Sequence, residues 1–428
     1  MNSTIVILLF TVFYLALGVP VGVSFILSMA STMLLYPVTN ITFIAQNMYT
    51  ALDSLTLIAI PCFILAGVVM ETGGLSRRLI RIANCMVGRF TGGLGLVVVL
   101  ACLFFGAVSG SAPATVAAIG GIMIPAMVKQ GYEKTYSTAL VAAAGGLGVI
   151  VPPSIPFVIY GCTVGVSIGS LFMAGFIPAL VIAVFLMAVH LFIARKEGYT
   201  GSSERISFKE FLKVLLDGIW ALLMPVIILG GIYGGVFTPT EASVVAVVYG
   251  VIVGMFVYKE LTLKDLFRVL DENVSFIGAI MFTLAPATIL GALFALMGVP
   301  EQVSVFLGGI SQNKYIILLI INVVLLFVGM IMDSISAIVI LAPTLMGALL
   351  PFGVDPVHFG IIITVNLAIG FITPPVAANL FVASGLTGIP IEILARKIWP
   401  FVLALFLSLI IITMIPEVSL WLPNLLAK

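Results

Sequence analysis

An all-α polytopic membrane protein, built as an inverted repeat with two re-entrant helical hairpins, is the fold class this sequence predicts. Three observations carry that expectation. Charged side chains are scarce: 18 Lys and Arg plus 17 Asp and Glu make 8% of 428 residues, while 62% are hydrophobic and mean hydropathy is +1.32. The basic residues gather in a few short loops, and a series of Gly and Pro markers recurs at nearly fixed spacing in the two halves of the chain.

Soluble domains carry about 25% charged residues, so this surface must meet lipid. Its apolar stretches of about 20 residues match a hydrocarbon layer about 30 Å thick. A net charge of +1 supplies no basic field for nucleic acid. Cys62, Cys85, Cys102 and Cys162 lie in apolar sequence without a C-x-x-C pair, which argues against a disulfide framework or a zinc site. His190 and His358 are too far apart to form a metal or haem site.

Met1 to Thr4 carries no Lys or Arg, and the apolar run continues past Leu35, so the N-terminus reads as membrane structure rather than a cleaved signal peptide. Gly18 and Pro20 split it into two short spans. Further spans are expected near residues 54–72, 135–165, 168–194, 215–237, 240–258, 274–297, 358–388 and 399–422.

Lys and Arg in short loops stay on the cytoplasmic side. They cluster at Arg77, Arg78, Arg81 and Arg89; at Arg195, Lys196, Arg205, Lys209 and Lys213; at Lys259, Lys264 and Arg268; and at Arg396 and Lys397. All can lie on one side only if residues 92–128 and 314–350 each enter and leave by the same face. Each of those stretches has two apolar arms of roughly 15 residues, short for a full span. The first arms meet at Ser109-Gly110-Ser111-Ala112-Pro113-Ala114-Thr115 and the second at Asp333-Ser334-Ile335-Ser336. Ten spans and two hairpins place both termini in the periplasm.

The repeat is read from its markers. Pro61, Gly74, Gly106, Gly131, Gly148 and the pair Pro152-Pro153 are spaced by 13, 32, 25, 17 and 4 residues. Pro286, Gly298, Gly329, Gly353, Gly370 and the pair Pro374-Pro375 are spaced by 12, 31, 24, 17 and 4. The loop after Gly74 carries four Arg, whereas the one after Gly298 carries Glu301 and no Arg. Corresponding loops thus face opposite compartments, and the repeat is inverted. The expected organisation is N-terminal scaffold spans in 1–53, a first repeat in 54–165, scaffold spans in 166–273, a second repeat in 274–388 and a C-terminal span in 389–428.

Inverted repeats with discontinuous helices are the architecture of secondary transporters, whose sites lie at the midplane where backbone is unpaired. A Pro-Pro pair inside an apolar segment removes two donors and exposes carbonyls that lipid cannot solvate. Both pairs sit in polar settings, Val151-Pro152-Pro153-Ser154 and Thr373-Pro374-Pro375, with Asn366 and Asn379 nearby. Carbonyl and hydroxyl oxygens converging on a break suit a hard cation such as sodium. A Ser- and Gly-bearing tip opposite each break would complete the cage.

Four ordered motifs, Phe105-Gly106-Ala107-Val108-Ser109-Gly110-Ser111-Ala112-Pro113-Ala114-Thr115-Val116, Pro152-Pro153-Ser154-Ile155, Gly230-Gly231-Ile232-Tyr233-Gly234-Gly235-Val236-Phe237-Thr238-Pro239-Thr240-Glu241-Ala242 and Ile372-Thr373-Pro374-Pro375-Val376, resemble the large membrane subunit of TRAP transporters. The resemblance runs from about Leu17 to Pro400. It implies an elevator-type, sodium-driven importer of organic acids, with C4-dicarboxylates and sialic acids as leading substrates. It also implies two partners, a small four-helix membrane subunit and a soluble periplasmic binding protein, and a place in the bacterial inner membrane. No cofactor beyond coupling sodium ions is implied. One departure is Ala377, where the family usually has Gly.

Carried over by position, the resemblance implies one sodium site from Ser109, Ser111, Gly148, Val151 and Pro152. A second uses Gly329, Asp333, Gly370 and Thr373, with substrate near Ser111, Ser154, Asp333, Asn366 and Thr373. Asp333 reads either as a functional carboxylate at membrane depth or as the cap of the following helix. Glu241 reads as a cap after Thr238. The competing classes are an ion channel and an intramembrane hydrolase using Ser109 with His190. The sequence lacks G-x-S-x-G, H-E-x-x-H and G-x-x-x-x-G-K-[ST], which disfavours hydrolysis of peptides or ATP.

Overall fold

The computed structural model describes residues 3–36, 39–201 and 207–426, and every regular element among them is helical. Met1, Asn2 and Arg205, used above to read the terminus and the orientation, lie outside the described residues. The chain opens with α1 (Ser3–Ala16) and α2 (Val21–Leu35). Gly18, at φ +78°, turns the backbone between them. A short α3 (Thr42–Leu52), not foreseen from hydropathy, follows.

The first repeat starts with α4 (Ala59–Thr72) and α5 (Leu75–Val87). Its hairpin is α6 (Gly93–Ser109) and α7 (Ala112–Lys129). The broken span is α8 (Lys134–Ala144), a tight 3-10 turn over Gly145–Val149, and α9 (Ile155–Val164). Then come α10 (Ile168–Glu197), α11 (Phe208–Tyr233) and α12 (Pro239–Ile252). The second repeat repeats the order: α13 (Leu263–Leu296), α14 (Val299–Ile310), the hairpin α15 (Lys314–Ile331) and α16 (Ser334–Leu349), and the broken span α17 (Pro356–Gly370) and α18 (Ala378–Thr387). The chain closes with α19 (Ile391–Lys397), α20 (Trp399–Met414) and α21 (Glu417–Leu426). By length and composition eight of these segments can cross a membrane, or ten if two bent pairs each count as one.

Three boundaries differ from the sequence reading. Residues 75–87 and 299–310, read as loops, are helices that start at equivalent left-handed glycines, Gly74 at φ +77° and Gly298 at φ +68°. Helix α13 begins at Leu263 rather than near 274. Asp265 accepts from the Thr262 amide at 3.2 Å while the Thr262 hydroxyl accepts from the Asp265 amide at 3.2 Å, a capping box that satisfies amides at the helix start. The hairpin arms are 17 and 18 residues in the first repeat and 18 and 16 in the second, longer than anticipated. Both tips reach the same cavity.

The marker glycines show why the spacing recurs. In the first repeat, α6 crosses the broken span at Gly106 and Gly148, where a Cβ on Gly106 would lie 3.0 Å from Gly148 Cα. In the second, Gly329 of α15 meets Gly370 at the end of α17 in the same way, 3.4 Å from a Cβ on Gly329 to Gly370 Cα. The two repeats also exchange partners. Helix α7 packs on α18, and α16 packs on α9, so each tip helix lies against the other repeat's broken span. That reciprocity is the pseudo-two-fold relation of an inverted repeat.

Packing draws α10, α20 and α21 onto the hairpins and broken spans, whereas α1 to α4, α11 and α12 pack on one another, and α13 packs both on α2, α3 and α4 and on α16 of the second hairpin. By packing, the stretch grouped as 166–273 therefore divides after α10. Helix α5 bridges the two groups, between α6 and α11. Arg78 fastens it: the guanidinium donates to Glu260 at 2.8 Å and to the Gly74 carbonyl at 2.9 Å, and lies 3.5 Å over the Tyr258 ring and 3.6 Å from Asp217. The cluster that oriented the chain is thus also the anchor of a helix.

Candidate functional site

A cavity of about 560 Å³ lies where the two groups of helices face each other. The first tip supplies Ser109, Gly110 and Ser111, and the second supplies Asp333 to Ser336. Ile155 and Pro156 come from beyond the first break, while Phe371 and Ala378 flank the second. The opposing wall is Gly67 of α4 and the stripe Asn273, Phe276, Ile280 and Thr283 on α13. Both tips and both breaks, separated by more than 200 residues of chain, thus converge on one space.

At the first tip three oxygens cluster. Ser109 Oγ is 3.0 Å from Thr115 Oγ1, and the Thr115 hydroxyl donates to the Ser111 carbonyl at 2.8 Å. Gly148 closes on this group, because a Cβ there would fall on Thr115 Oγ1 and lie 3.0 Å from the Ser111 carbonyl carbon. Ser109, Ser111 and Gly148 are therefore brought together, with Val151 and Pro152 buried in the adjoining break. Thr115 was quoted in the motif but not assigned a role; its signal was the four-residue offset from Ser111, one helical turn.

The second tip is built differently. Gly329 and Gly370 cross as described, the Thr373 hydroxyl donates to the Ile369 carbonyl at 2.9 Å, and the Val376 amide ties the break to the Met330 carbonyl at 3.0 Å. Asp333 Oδ1 accepts from the amides of Ile335 and Ser336 at 2.9 and 3.0 Å, so the residue is a helix cap. Its side chain is exposed on the cavity wall, and Oδ2 has no partner among the described residues.

Three of the residues expected near substrate stand off the cavity wall. Ser154 is fully buried; its hydroxyl donates to the Val149 carbonyl at 2.5 Å and caps α9. Asn366, also fully buried, donates to Asn322 at 2.9 Å and to the Ile362 carbonyl at 2.8 Å, and Asn322 donates to Thr413 at 2.9 Å. That chain ties α17 to α15 and α20. Thr373 is half-buried beside the second break. Ser111 and Asp333 are the two that line the cavity.

Four helix N-termini face this space, those of α7, α9, α16 and α18. Each carries a partial positive charge. Among the described residues no Lys, Arg or His lines the cavity. Among the described residues no three His, Cys, Asp or Glu side chains converge, so a cation here would take most of its ligands from carbonyl and hydroxyl oxygens.

Ala377, just before α18, adopts φ 47° and ψ 61°. A left-handed conformation costs an L-residue about 1–2 kcal/mol, which gives the physical reason for glycine at this place. Ala377→Gly is expected to raise thermal stability by about 0.5–1 kcal/mol, measured as a melting shift in detergent. An unchanged or lower melting temperature would show the strain to be absent.

The hydrolase alternative fails on geometry. His190 Nε2 donates to the Gly92 carbonyl at 2.7 Å, which leaves Nδ1 to accept from the Tyr136 hydroxyl at 2.8 Å. Both nitrogens are thereby engaged away from Ser109, whose hydroxyl lies against Thr115.

Residues 7–418 match the family described as "Tripartite ATP-independent periplasmic transporter, DctM component". The chain belongs to that family. Its members are transport components, not enzymes. It is 44% identical over 95% of its length to the isethionate TRAP transporter permease protein DctMQ of Oleidesulfovibrio alaskensis, of which it spans 64%. It is 42% identical to the C4-dicarboxylate TRAP transporter large permease protein DctM of Pseudomonas aeruginosa, covering 93% of each. With the sialic acid TRAP transporter large permease protein SiaM of Vibrio cholerae it shares 38% identity over 95% of each. The fold also matches a crystal structure of the Alcanivorax borkumensis YdaH transporter, at TM-score 0.64 and 15% identity, covering 90% of this chain and 88% of that one. This chain is a TRAP transporter large permease.

Proposed function

We propose that this permease carries an organic anion inward across the bacterial inner membrane, coupled to sodium, by an elevator movement. The observation that carries the reading is the convergence of two tips and two breaks on one cavity, set against a wall formed chiefly by α4 and α13. Helices α6 to α10 and α15 to α21 are the moving body, and α1 to α4 with α11 to α13 are the scaffold. Sodium takes oxygens of Ser109, Ser111, Gly148, Val151 and Pro152 at one end, and of Gly329, Gly370, Thr373 and Asp333 at the other. Substrate lies between Ser111 and Asp333. A small membrane subunit completes the scaffold, and a soluble binding protein delivers substrate from the periplasm.

With both termini in the periplasm, the scaffold wall of the cavity falls in the cytoplasmic half. It uses Pro20 and Val21 at the cytoplasmic turn between α1 and α2, Ile64 to Val68 of α4, and the first part of the apolar stretch of α13. The structure is then the cytoplasm-facing end of the stroke.

The test is access to the first tip. Ser111→Cys, in a background with the four native cysteines replaced by serine, should react with an impermeant thiol reagent from the cytoplasmic side in one gradient. It should react from the periplasmic side in the opposite one. Reaction from a single side under every gradient would favour a fixed pore or a rocking mechanism instead.

A further inference from the structure

The chain has two histidines, and their buried rings are satisfied differently. His190 has a partner on each ring nitrogen. His358, near the start of α17, is 2% exposed, and neither Nδ1 nor Nε2 has a partner among the described residues. Buried polar atoms are seldom left unpaired, so a ring with two such atoms calls for a cause beyond packing.

Its neighbours supply one. The ring faces the Thr413 carbonyl of α20 without bonding to it, and the charged groups about it are Asp355, which caps α17, Glu417 of α21 and Lys314 of α15. Asp355 and Glu417 are exposed, so two carboxylates link the buried ring to water. Tyr315 lies beside Lys314, and the Tyr160 hydroxyl of α9 donates to the Pro356 carbonyl at 2.7 Å. Helices α16 and α20 and the tight turn 145–149 carry no titratable side chain, and those of α10 begin only at His190. Along α17, residues 358, 362, 366 and 370 follow at intervals of about one turn. Beside them Asn366 donates to Asn322 and Asn322 to Thr413, both at 2.9 Å. Asn366 Oδ1 is a further buried atom without a partner among the described residues. The seam of α15, α17 and α20 thus runs from His358 to the Gly329–Gly370 crossing.

We infer that His358 is a proton-binding site: its ring takes a proton from periplasmic water, and the permease carrying that proton transports more slowly. The inference rests on the elevator reading and on the termini being periplasmic, which sets this end of α17 towards the periplasm. A neutral ring brings one N–H and one lone pair to a place faced by a carbonyl and two carboxylates. Protonated, it has two N–H groups, which a small turn of the ring brings to the Thr413 carbonyl and a carboxylate. Lys314 opposes the charge, but two carboxylates outweigh one ammonium. The proton returns to the periplasm, and none is carried across. His358 belongs to the moving body, so the inward stroke draws its charge away from water towards the low-dielectric centre of the membrane, which opposes the stroke.

Two measurements test this. The first is nitrogen-15 NMR of the full chain in nanodiscs, labelled at histidine alone, with His358→Gln assigning the two sets of signals. Between about pH 8 and about pH 5 the His358 nitrogens should pass from neutral to imidazolium shifts while those of His190 stay neutral. A His358 ring that keeps one state throughout would overturn the inference. The second is sodium-driven uptake by vesicles holding the complete transporter and its loaded binding protein, at fixed internal pH. Acidifying the outside over the same range should slow the parent at least about threefold more than His358→Gln or His358→Asn, whose amides stay neutral. Parallel profiles would overturn the inference, because any effect of pH on the binding protein is common to all three. A parent without sodium-driven uptake at any pH would defeat the transport reading beneath it, and the NMR titration would still decide whether the ring binds a proton.

Discussion

Gly370→Ala is expected to abolish uptake. A Cβ at this position would fall on the Gly329 backbone, 2.6 Å from its Cα, and the neighbouring carbonyl is closer still. The obstacle is main chain on both sides, so no rotamer change relieves it. Separating α15 from α17 by the required distance costs about 3 kcal/mol or more, and it displaces the carbonyls proposed to hold the second sodium ion. Uptake in reconstituted vesicles should fall at least tenfold, accompanied by a lower melting temperature. Gly385→Ala is the control, because nothing lies within 4 Å of a Cβ there, and it should transport like the parent. A Gly370→Ala protein with parental uptake would show that the crossing of α15 and α17 opens without consequence, and the marker spacing would lose its explanation.

That crossing also shows what the sequence could and could not reveal. The recurring interval from Gly329 to Gly370, matched by Gly106 to Gly148, is legible because close backbone approach demands glycine and leaves a fixed distance along the chain. The hairpins were legible for a different reason, the sidedness of Arg and Lys. Helices α5 and α14 were not, because hydropathy reports membrane depth rather than helicity, and four Arg in and beside α5 read as a loop. Asn366 was misplaced for a related cause. Helix α17 is apolar on every side, so no stripe says which way a lone polar side chain points, and this one turns to Asn322 rather than to the cavity. Asp333 carried two readings, and the structure shows the cap and puts the residue on the cavity wall. Its Oδ1 takes the first amides of α16, and Oδ2 has no partner among the described residues.

Replacing external sodium by potassium is expected to reduce uptake at least about 100-fold in vesicles holding the complete transporter and its loaded binding protein. Each polar group left unpartnered in the protein interior costs about 1–3 kcal/mol, so the two proposed cages, left empty, would set several kcal/mol against movement of the loaded body. Potassium, the larger ion, is expected to fit poorly in the proposed oxygen cages, which close around glycine backbone. A voltage dependence follows. Two sodium ions with one singly charged anion move a net positive charge inward, worth about 2.3 kcal/mol per 100 mV, or about 50-fold in accumulation. A dianion with the same two ions would move none. Measuring the sodium requirement and the voltage effect in one preparation therefore tests the cages and the substrate charge separately. Equal uptake in potassium-only buffer would remove both proposed sodium sites. Sodium-dependent uptake indifferent to voltage would keep the cages and make the substrate a dianion.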